Sequence, residues 1–172
     1  MRTPVYLEPL DDGHVADLMR LAGDERVASM SHVAHPYEPH HAEAHLMAAK
    51  LGRKSGTRHD FAVLVENEFA GTVTLTIPSP RSGFLFYWIG ADFWGRGIAS
   101  EAVRLVTQYA RSLRIQGLTA GLLVRNRASR RVLEKNGFRV AREFVNDGSY
   151  PAKFRGEAML EMEWRGEGDT VS

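Results

Sequence analysis

Phe84-Leu85-Phe86-Tyr87-Trp88-Ile89, followed by Trp94-Gly95-Arg96-Gly97-Ile98-Ala99 and an amphipathic run from Ser100, is the stretch that decides the fold. An aromatic, apolar strand that passes through a glycine turn into a helix leaves several backbone N–H groups without partners, all pointing one way. The positive end of the helix dipole lies behind them, and the combination is an anion site. Glycine at 95 and 97 removes the Cβ atoms that would keep a phosphate from those amides. The stretch is built for a phosphorylated ligand.

Outward from that turn, the chain reads as one α+β domain over residues 1–172, with no internal repeat and no linker. Residues 5–10 read as a first strand, stopped at Pro9. Asp11 or Asp12 caps a helix whose Val15, Leu18, Met19 and Ala22 have helical spacing, and a second helical piece covers 25–31. A longer helix runs from Pro39 to about Lys54. Residues 61–65 and 71–77 form a hairpin joined by Glu66-Asn67-Glu68, and 78–83 turn into the aromatic strand 84–89. The helix 99–113 places Ala102, Leu105, Val106, Tyr109, Ala110 and Leu113 on one stripe. Residues 118–124 are a strand and 128–136 a short basic helix ended by Gly137. Residues 138–145 and 158–164 close the chain as a hairpin around Asp147-Gly148, and the polar tail from Gly166 is expected to fray. This order predicts a mixed sheet with helices on both faces.

Composition narrows the function classes. Hydrophobic residues at 44% and charged residues at 25% are ordinary globular values, so disordered and fibrous classes are excluded. The net charge of +1 gives no global pull toward nucleic acid or an acidic partner. Locally, Arg125, Arg127, Arg130, Arg131 and Lys135 fall within eleven residues that hold one acid, Glu134. That cluster lacks the interleaved aromatics of a nucleic-acid surface, and ligand phosphates account for it better. With no cysteine there is no disulfide, thiol nucleophile or thiolate metal site. No apolar run approaches the roughly 20 residues needed to span a bilayer, and the N-terminal residues read as strand rather than signal peptide. The expectation is a soluble cytoplasmic protein with no membrane and no nucleic-acid partner.

Other phosphate folds also use glycine turns. Gly90 to Arg96 nearly spells a P-loop, but Arg96 stands where lysine belongs and Gly97 where a hydroxyl would hold magnesium. The dinucleotide fingerprint fails because Ser100 replaces its third small residue and the flanking strands form a meander. A third pattern fits. Residues 94–102, with Asn126-Arg127-Ala128-Ser129 and Val132-Leu133-Glu134-Lys135-Asn136-Gly137-Phe138 downstream, resemble the GNAT superfamily of acetyl-CoA-dependent N-acetyltransferases. The tryptophan at 94, where Gln or Arg is usual, and the Asn-x-x-Ser and Leu-Glu-Lys-x-Gly-Phe blocks resemble the ribosomal-protein N-terminal acetyltransferase branch. The close likeness spans 87–138.

The resemblance implies a mostly antiparallel central sheet of about seven strands, in which strand 84–89 splays from strand 118–124 to open a cofactor cleft. It implies acetyl-CoA as co-substrate. Backbone amides of Trp94, Gly95, Arg96, Gly97, Ile98, Ala99 and Ser100 would hold the pyrophosphate. The backbone of Trp88, Ile89, Gly90 and Ala91 would pair with the pantetheine arm. Asn126 and Ser129 would approach the pantetheine and thioester. Arg130, Arg131 or Arg96 would meet the adenosine phosphates, a task suited to the guanidinium fork. Relatives are often dimers, so a homodimer is one implied assembly.

Acetyl transfer to an amine requires a proton lost from nitrogen, a polarised thioester carbonyl and a protonated leaving sulfur. Direct attack in a ternary complex needs no enzyme nucleophile. Many relatives place a tyrosine acid where this chain has Leu133. Ser129 is the nearest replacement, either as the acid or only as a hydrogen-bonding partner of the cofactor. Glu143 is the first candidate base, followed by Asp92, Tyr150 and Glu66, with a water chain or an already neutral amine as alternatives. The acceptor is a primary amine, either a peptide N-terminus or a small molecule. A thioester-binding sensor or scaffold without turnover is the rival reading.

Five of the seven histidines fall between His32 and His45. His41 and His45 share a helix face, but there is no HExxH motif and no third ligand, so no metal is assigned. In relatives this region flanks the acceptor, which makes His35, Pro36 and Tyr37 candidates for shaping substrate choice. Phe84, Phe86 and Trp88 alternate with Leu85, Tyr87 and Ile89, so both faces of that strand read as core.

Overall fold

A computed structural model describes residues 3–167. Its strands are β1 (Val5–Pro9), β2 (Arg58–Val65), β3 (Glu68–Ser79), β4 (Ser82–Ile89), β5 (Gly117–Leu123), β6 (Arg139–Val145) and β7 (Ala158–Arg165). They form one sheet in the order β1-β2-β3-β4-β5-β7-β6. Every neighbouring pair is antiparallel except β4 and β5. The helices are α1 (Val15–Ala22), α2 (Glu25–Ala28), α3 (Pro39–Ser55), α4 (Ile98–Ser112) and α5 (Arg127–Lys135). Among the described residues no helix is long and apolar enough to cross a membrane.

Local chemistry explains the turns. Glu66 and Asn67 both have positive φ, so the β2–β3 hairpin closes on two residues in the handedness that suits twisted strands, and Glu68 already belongs to β3. Gly71 is required by a close approach: a Cβ there would lie 2.2 Å from the Trp88 carbonyl oxygen. Gly137 (φ +84°) ends α5.

Strand alternation sends successive side chains to opposite faces of the sheet. Asp60 (β2), Thr74 (β3) and Phe86 (β4) lie in register on the face covered by α3, where His45 meets Asp60. His59 and Tyr87 point to the other face, where His59 meets Tyr109 of α4 and Tyr87 meets Ser129 of α5. On α4 the buried stripe is Ile98, Ala102, Val103, Val106 and Ala110. Leu113, expected on that stripe, is 37% exposed because the helix has ended.

The last hairpin differs from the expected one. Instead of a tight turn at Asp147-Gly148, a twelve-residue connection joins β6 to β7. Buried Asn146 organises it: its side-chain N–H groups donate to Tyr150 O and Pro151 O, and its Oδ1 accepts from Gly148 N–H. Gly166, where the fraying tail was expected to begin, is held by its N–H to Gln116 O at 2.8 Å. The tail from residue 168 lies outside the described residues.

Candidate functional site

β4 and β5 pair only at Ser82–Phe84 against Gly117–Thr119 and then part. The Trp88 carbonyl and the Gly90 N–H face β3, which corrects the expectation that their backbone meets the pantetheine. Alternation turns the backbone groups of Tyr87 and Ile89 toward the gap instead. Across the mouth of the gap stands the glycine turn. Gly95 (φ +75°) and Gly97 (φ +74°) take left-handed backbone, and nothing lies within 4 Å of a Cβ built on either. Gly97 is the N-cap of α4 and offers no side-chain cap, so the first-turn amides remain available to a ligand. The resulting cavity, about 630 Å³, runs from this turn down between β4 and β5. Its size, its open strand backbone and its uncapped helix end fit a long ligand that carries a pyrophosphate.

One wall comes from α5. Asn126 caps the helix by accepting from Ser129 N–H at 3.1 Å, and its Nδ2 donates to Met30 O at 3.3 Å. Ser129 Oγ lies 2.7 Å from the Tyr87 hydroxyl, and either oxygen can donate. Burial pushes the Tyr87 phenol far above its usual range, and the Ser129 hydrogen bond only partly offsets this. Burial therefore keeps Tyr87 as the neutral phenol, able to donate to or accept from Ser129. Leu133, in the position of the vacant acid, is buried in the core and also borders the cavity.

The opposite wall lies on the α3 face. His32 stands edge-on to Phe86, with ring centroids 4.7 Å apart. Burial, then the charges of His45, Lys153 and Arg58, lower its pKa to about 4, with Asp60 opposing. The imidazole is neutral. Tyr150 packs edge-on against Phe84 at 5.7 Å and approaches Gly121, and burial raises its phenol to about 12. Behind Phe86, Asp60 accepts from Arg58 Nε (2.7 Å), Thr74 Oγ1 (2.7 Å) and His45 Nε2 (2.8 Å). Burial alone would raise this carboxyl, but the three donors and the Arg58 charge hold it well below the usual carboxylate range. Lys153 clasps this wall shut by donating to Ala28 O and Val33 O.

The structure brings most of the sequence candidates to this cavity. Trp88, Ile89, Trp94, Gly95, Gly97, Ile98, Ala99, Ser100, Asn126, Ser129 and Arg131 line it. Gly90, Ala91, Arg96 and Arg130 are not among the lining residues. Arg96 lies over the Phe93 ring, and Arg130 pairs with Glu134. Trp94 Nε1 donates to Ile89 O at 2.8 Å and so pins the turn to the end of β4. Glu143 lies on the edge strand β6, exposed and outside the lining. Glu66 sits exposed in a hairpin turn, and Asp92 faces Arg26 at the surface. His41 accepts from Glu38 N–H and His45 holds Asp60. Among the described residues no group of three or more His, Cys, Asp or Glu is arranged to hold a metal.

Tyr87 and His32 were not singled out from sequence. The signal for Tyr87 was present, because in 84–89 it alternates onto the face opposite Phe86. His32 lies in an irregular segment with no periodicity to orient it.

Comparison with known proteins agrees with this geometry. The family model described as an acetyltransferase (GNAT) domain matches residues 5–139. A probable N-acetyltransferase of Bacillus subtilis is 44% identical over 59 residues, which is 34% of this chain and 33% of that protein. The chain thus spans about a third of that relative's length. A Salmonella typhimurium acetyltransferase, described as modifying the N-terminal serine of ribosomal protein L7/L12, superposes with a TM-score of 0.81 at 21% identity, covering 97% of each chain. The Vibrio cholerae spermidine N-acetyltransferase, solved with CoA and spermine, superposes with a TM-score of 0.78 at 19% identity, covering 94% of this chain and 95% of that one. At such identities the two superpositions speak for the fold. With the sheet splayed where the glycine turn requires it and the family match spanning most of the sequence, the chain belongs to the acetyltransferase (GNAT) family.

Proposed function

We propose that this protein transfers the acetyl group of acetyl-CoA to a primary amine by direct attack in a ternary complex. The parting of β4 from β5 beside the glycine turn carries this reading, because it offers open strand backbone and helix-end amides to a single extended ligand. The amides of residues 95–100 bind the pyrophosphate, since the Trp94 N–H is held by Ala91 O. The backbone of Tyr87 and the Ile89 N–H meet the pantetheine, the Ile89 carbonyl being held by Trp94 Nε1. Arg131, which borders the cleft, is the arginine best placed for the adenosine phosphates.

Bound in this way, acetyl-CoA supplies an activated acetyl group. The amine nitrogen forms a bond to the carbonyl carbon, the C–S bond breaks with its pair on sulfur, nitrogen loses one proton and sulfur gains one. Ser129 delivers the proton to sulfur and is resupplied by the Tyr87 hydroxyl 2.7 Å away, which fills the role left open at Leu133. The acceptor reaches the thioester from the His32 and Tyr150 wall. The test is release of free CoA from acetyl-CoA over a panel of peptides and small amines. Turnover with any amine supports the transferase, whereas tight binding without release would leave a thioester-binding protein that does no chemistry.

A further inference from the structure

The acceptor wall presents no carboxylate to the cleft. Among the described residues, no aspartate or glutamate lines the cleft. The groups that face His32 are His45 on α3, Arg58 and Asp60 on β2, and Lys153 on the β6–β7 connection. The one anion, Asp60, is fully committed to Arg58, Thr74 and His45 and has no side-chain exposure. Lys153 spends its hydrogen bonds on carbonyls. Two of the aromatic rings that might seat a cation already carry one: Arg58 lies 5.6 Å over the Phe86 ring, and Lys153 lies 4.9 Å over the Phe154 ring. An ammonium ion brought here would lose water, gain no counter-charge and meet two cations. A group in that position sheds its charge instead.

We propose that the acceptor chamber takes the amine uncharged, with His32 accepting an N–H of the bound free amine, so that α-amines are its substrates rather than alkylammonium ions such as polyamines or lysine side chains. This rests on the transferase reading. A neutral imidazole offers one acceptor nitrogen for the purpose. As the nitrogen lone pair forms the C–N bond and the C–S pair moves to sulfur, nitrogen passes one proton to His32 and on to water, and sulfur takes one at the Ser129 end. No base of high affinity is needed, because the reacting nitrogen arrives already deprotonated.

The consequence is selection by basicity. With an α-amine near 7.7–8.0 and a lysine side chain near 10.4, the free-base fractions at pH 7 differ by about 300-fold and at pH 10 by about threefold. The experiment measures kcat/KM of the full chain with acetyl-CoA from pH 6 to 10, using Ala-Ala amide, lysine blocked at its α-amine, and spermidine. The expected result is a ratio of about 300 between the first two at pH 7, shrinking toward three at pH 10, with each acid limb set by the acceptor's own ionisation. His32→Gln keeps a neutral acceptor and leaves each limb in place. His32→Glu installs a carboxylate and narrows the ratio at pH 7 by roughly tenfold or more. An acid limb at one fixed pH for every acceptor, or preference for spermidine at pH 7, would overturn the proposal while leaving the transferase intact. No turnover with any amine would overturn both. The wild-type limbs decide the matter even where a variant fails to fold.

Discussion

At the scale of single residues, the Tyr87 and Ser129 hydroxyls form a relay that reaches the cleft from the α5 side. If the relay protonates sulfur, Ser129→Ala lowers kcat by about 100-fold while the KM for acetyl-CoA changes little, since general acid catalysis is worth at least that much. Tyr87→Phe removes the resupplying proton but keeps Ser129, and should cost about tenfold. Because the two act as a unit, the double variant falls no further than Ser129→Ala alone. Steady-state kinetics on the three variants checks this, and an unchanged kcat for Ser129→Ala removes the acid role. The serine was legible in sequence through the resemblance carried by Asn126-x-x-Ser129, and the structure shows Asn126 capping the helix on Ser129 N–H. Its partner was not. Alternation gave the face of Tyr87, but in an aromatic-rich strand it cannot tell a core ring from one that ends in a polar contact.

At the scale of elements, α3 packs Ala42, Leu46 and Ala49 into the core and is tied to the sheet through one buried charge. Asp60 draws together Arg58 on its own strand, Thr74 on β3 and His45 on α3. Removing one partner of a buried pair strands the other, so Asp60→Asn should cost about 3 kcal/mol. In a chain of this size that is a Tm lower by roughly 10 °C. The sign with pH follows from a folded pKa depressed below its unfolded value. The stabilisation is fully present above the unfolded carboxylate value of about 3.9 and is lost as pH falls toward the lower folded value. The Tm gap between wild type and Asp60→Asn should therefore stay constant from pH 7 to 5 and narrow below about pH 4. Thermal unfolding across that range tests it. Helix and strand positions were readable from periodicity: β1, α3 and α4 begin within about a residue of expectation, whereas Asp11 caps a short 3-10 turn and α1 itself starts at Val15. The β6–β7 connection was not readable, since Asp147-Gly148 looks like a hairpin tip. The tip chemistry is real but local: Gly148 closes an Asx turn on buried Asn146, and the remaining residues carry Tyr150 and Phe154 to the cleft.

At the scale of the whole molecule, the sheet is two half-sheets sharing a short seam. β1–β4 and β5-β7-β6 touch by strand pairing only along Ser82–Phe84 and Gly117–Thr119. Beyond the seam the halves are linked by Tyr87 to Ser129 and by side chains that reach the end of α2 and the loop after it: Arg125 to Ser29 O, Asn126 to Met30 O, and Lys153 to Ala28 O and Val33 O. A thioester lying between β4 and β5 would complete the missing pairing and bind only the folded state. At a hundred times its Kd, such a ligand adds about 2.7 kcal/mol, which in a chain of this size is a Tm higher by roughly 5–11 °C. The gain should also be local. Amide hydrogen exchange should slow most in residues 85–89 and 120–123 and in the turn 94–100, and least in β1 and the outer face of α3, which the ligand does not bridge. Acetyl-CoA and CoA should protect alike, because the shared pyrophosphate and pantetheine do the bridging. A Tm rise without protection in those three segments would mean that the coenzyme binds elsewhere, and that the gap between β4 and β5 serves another ligand.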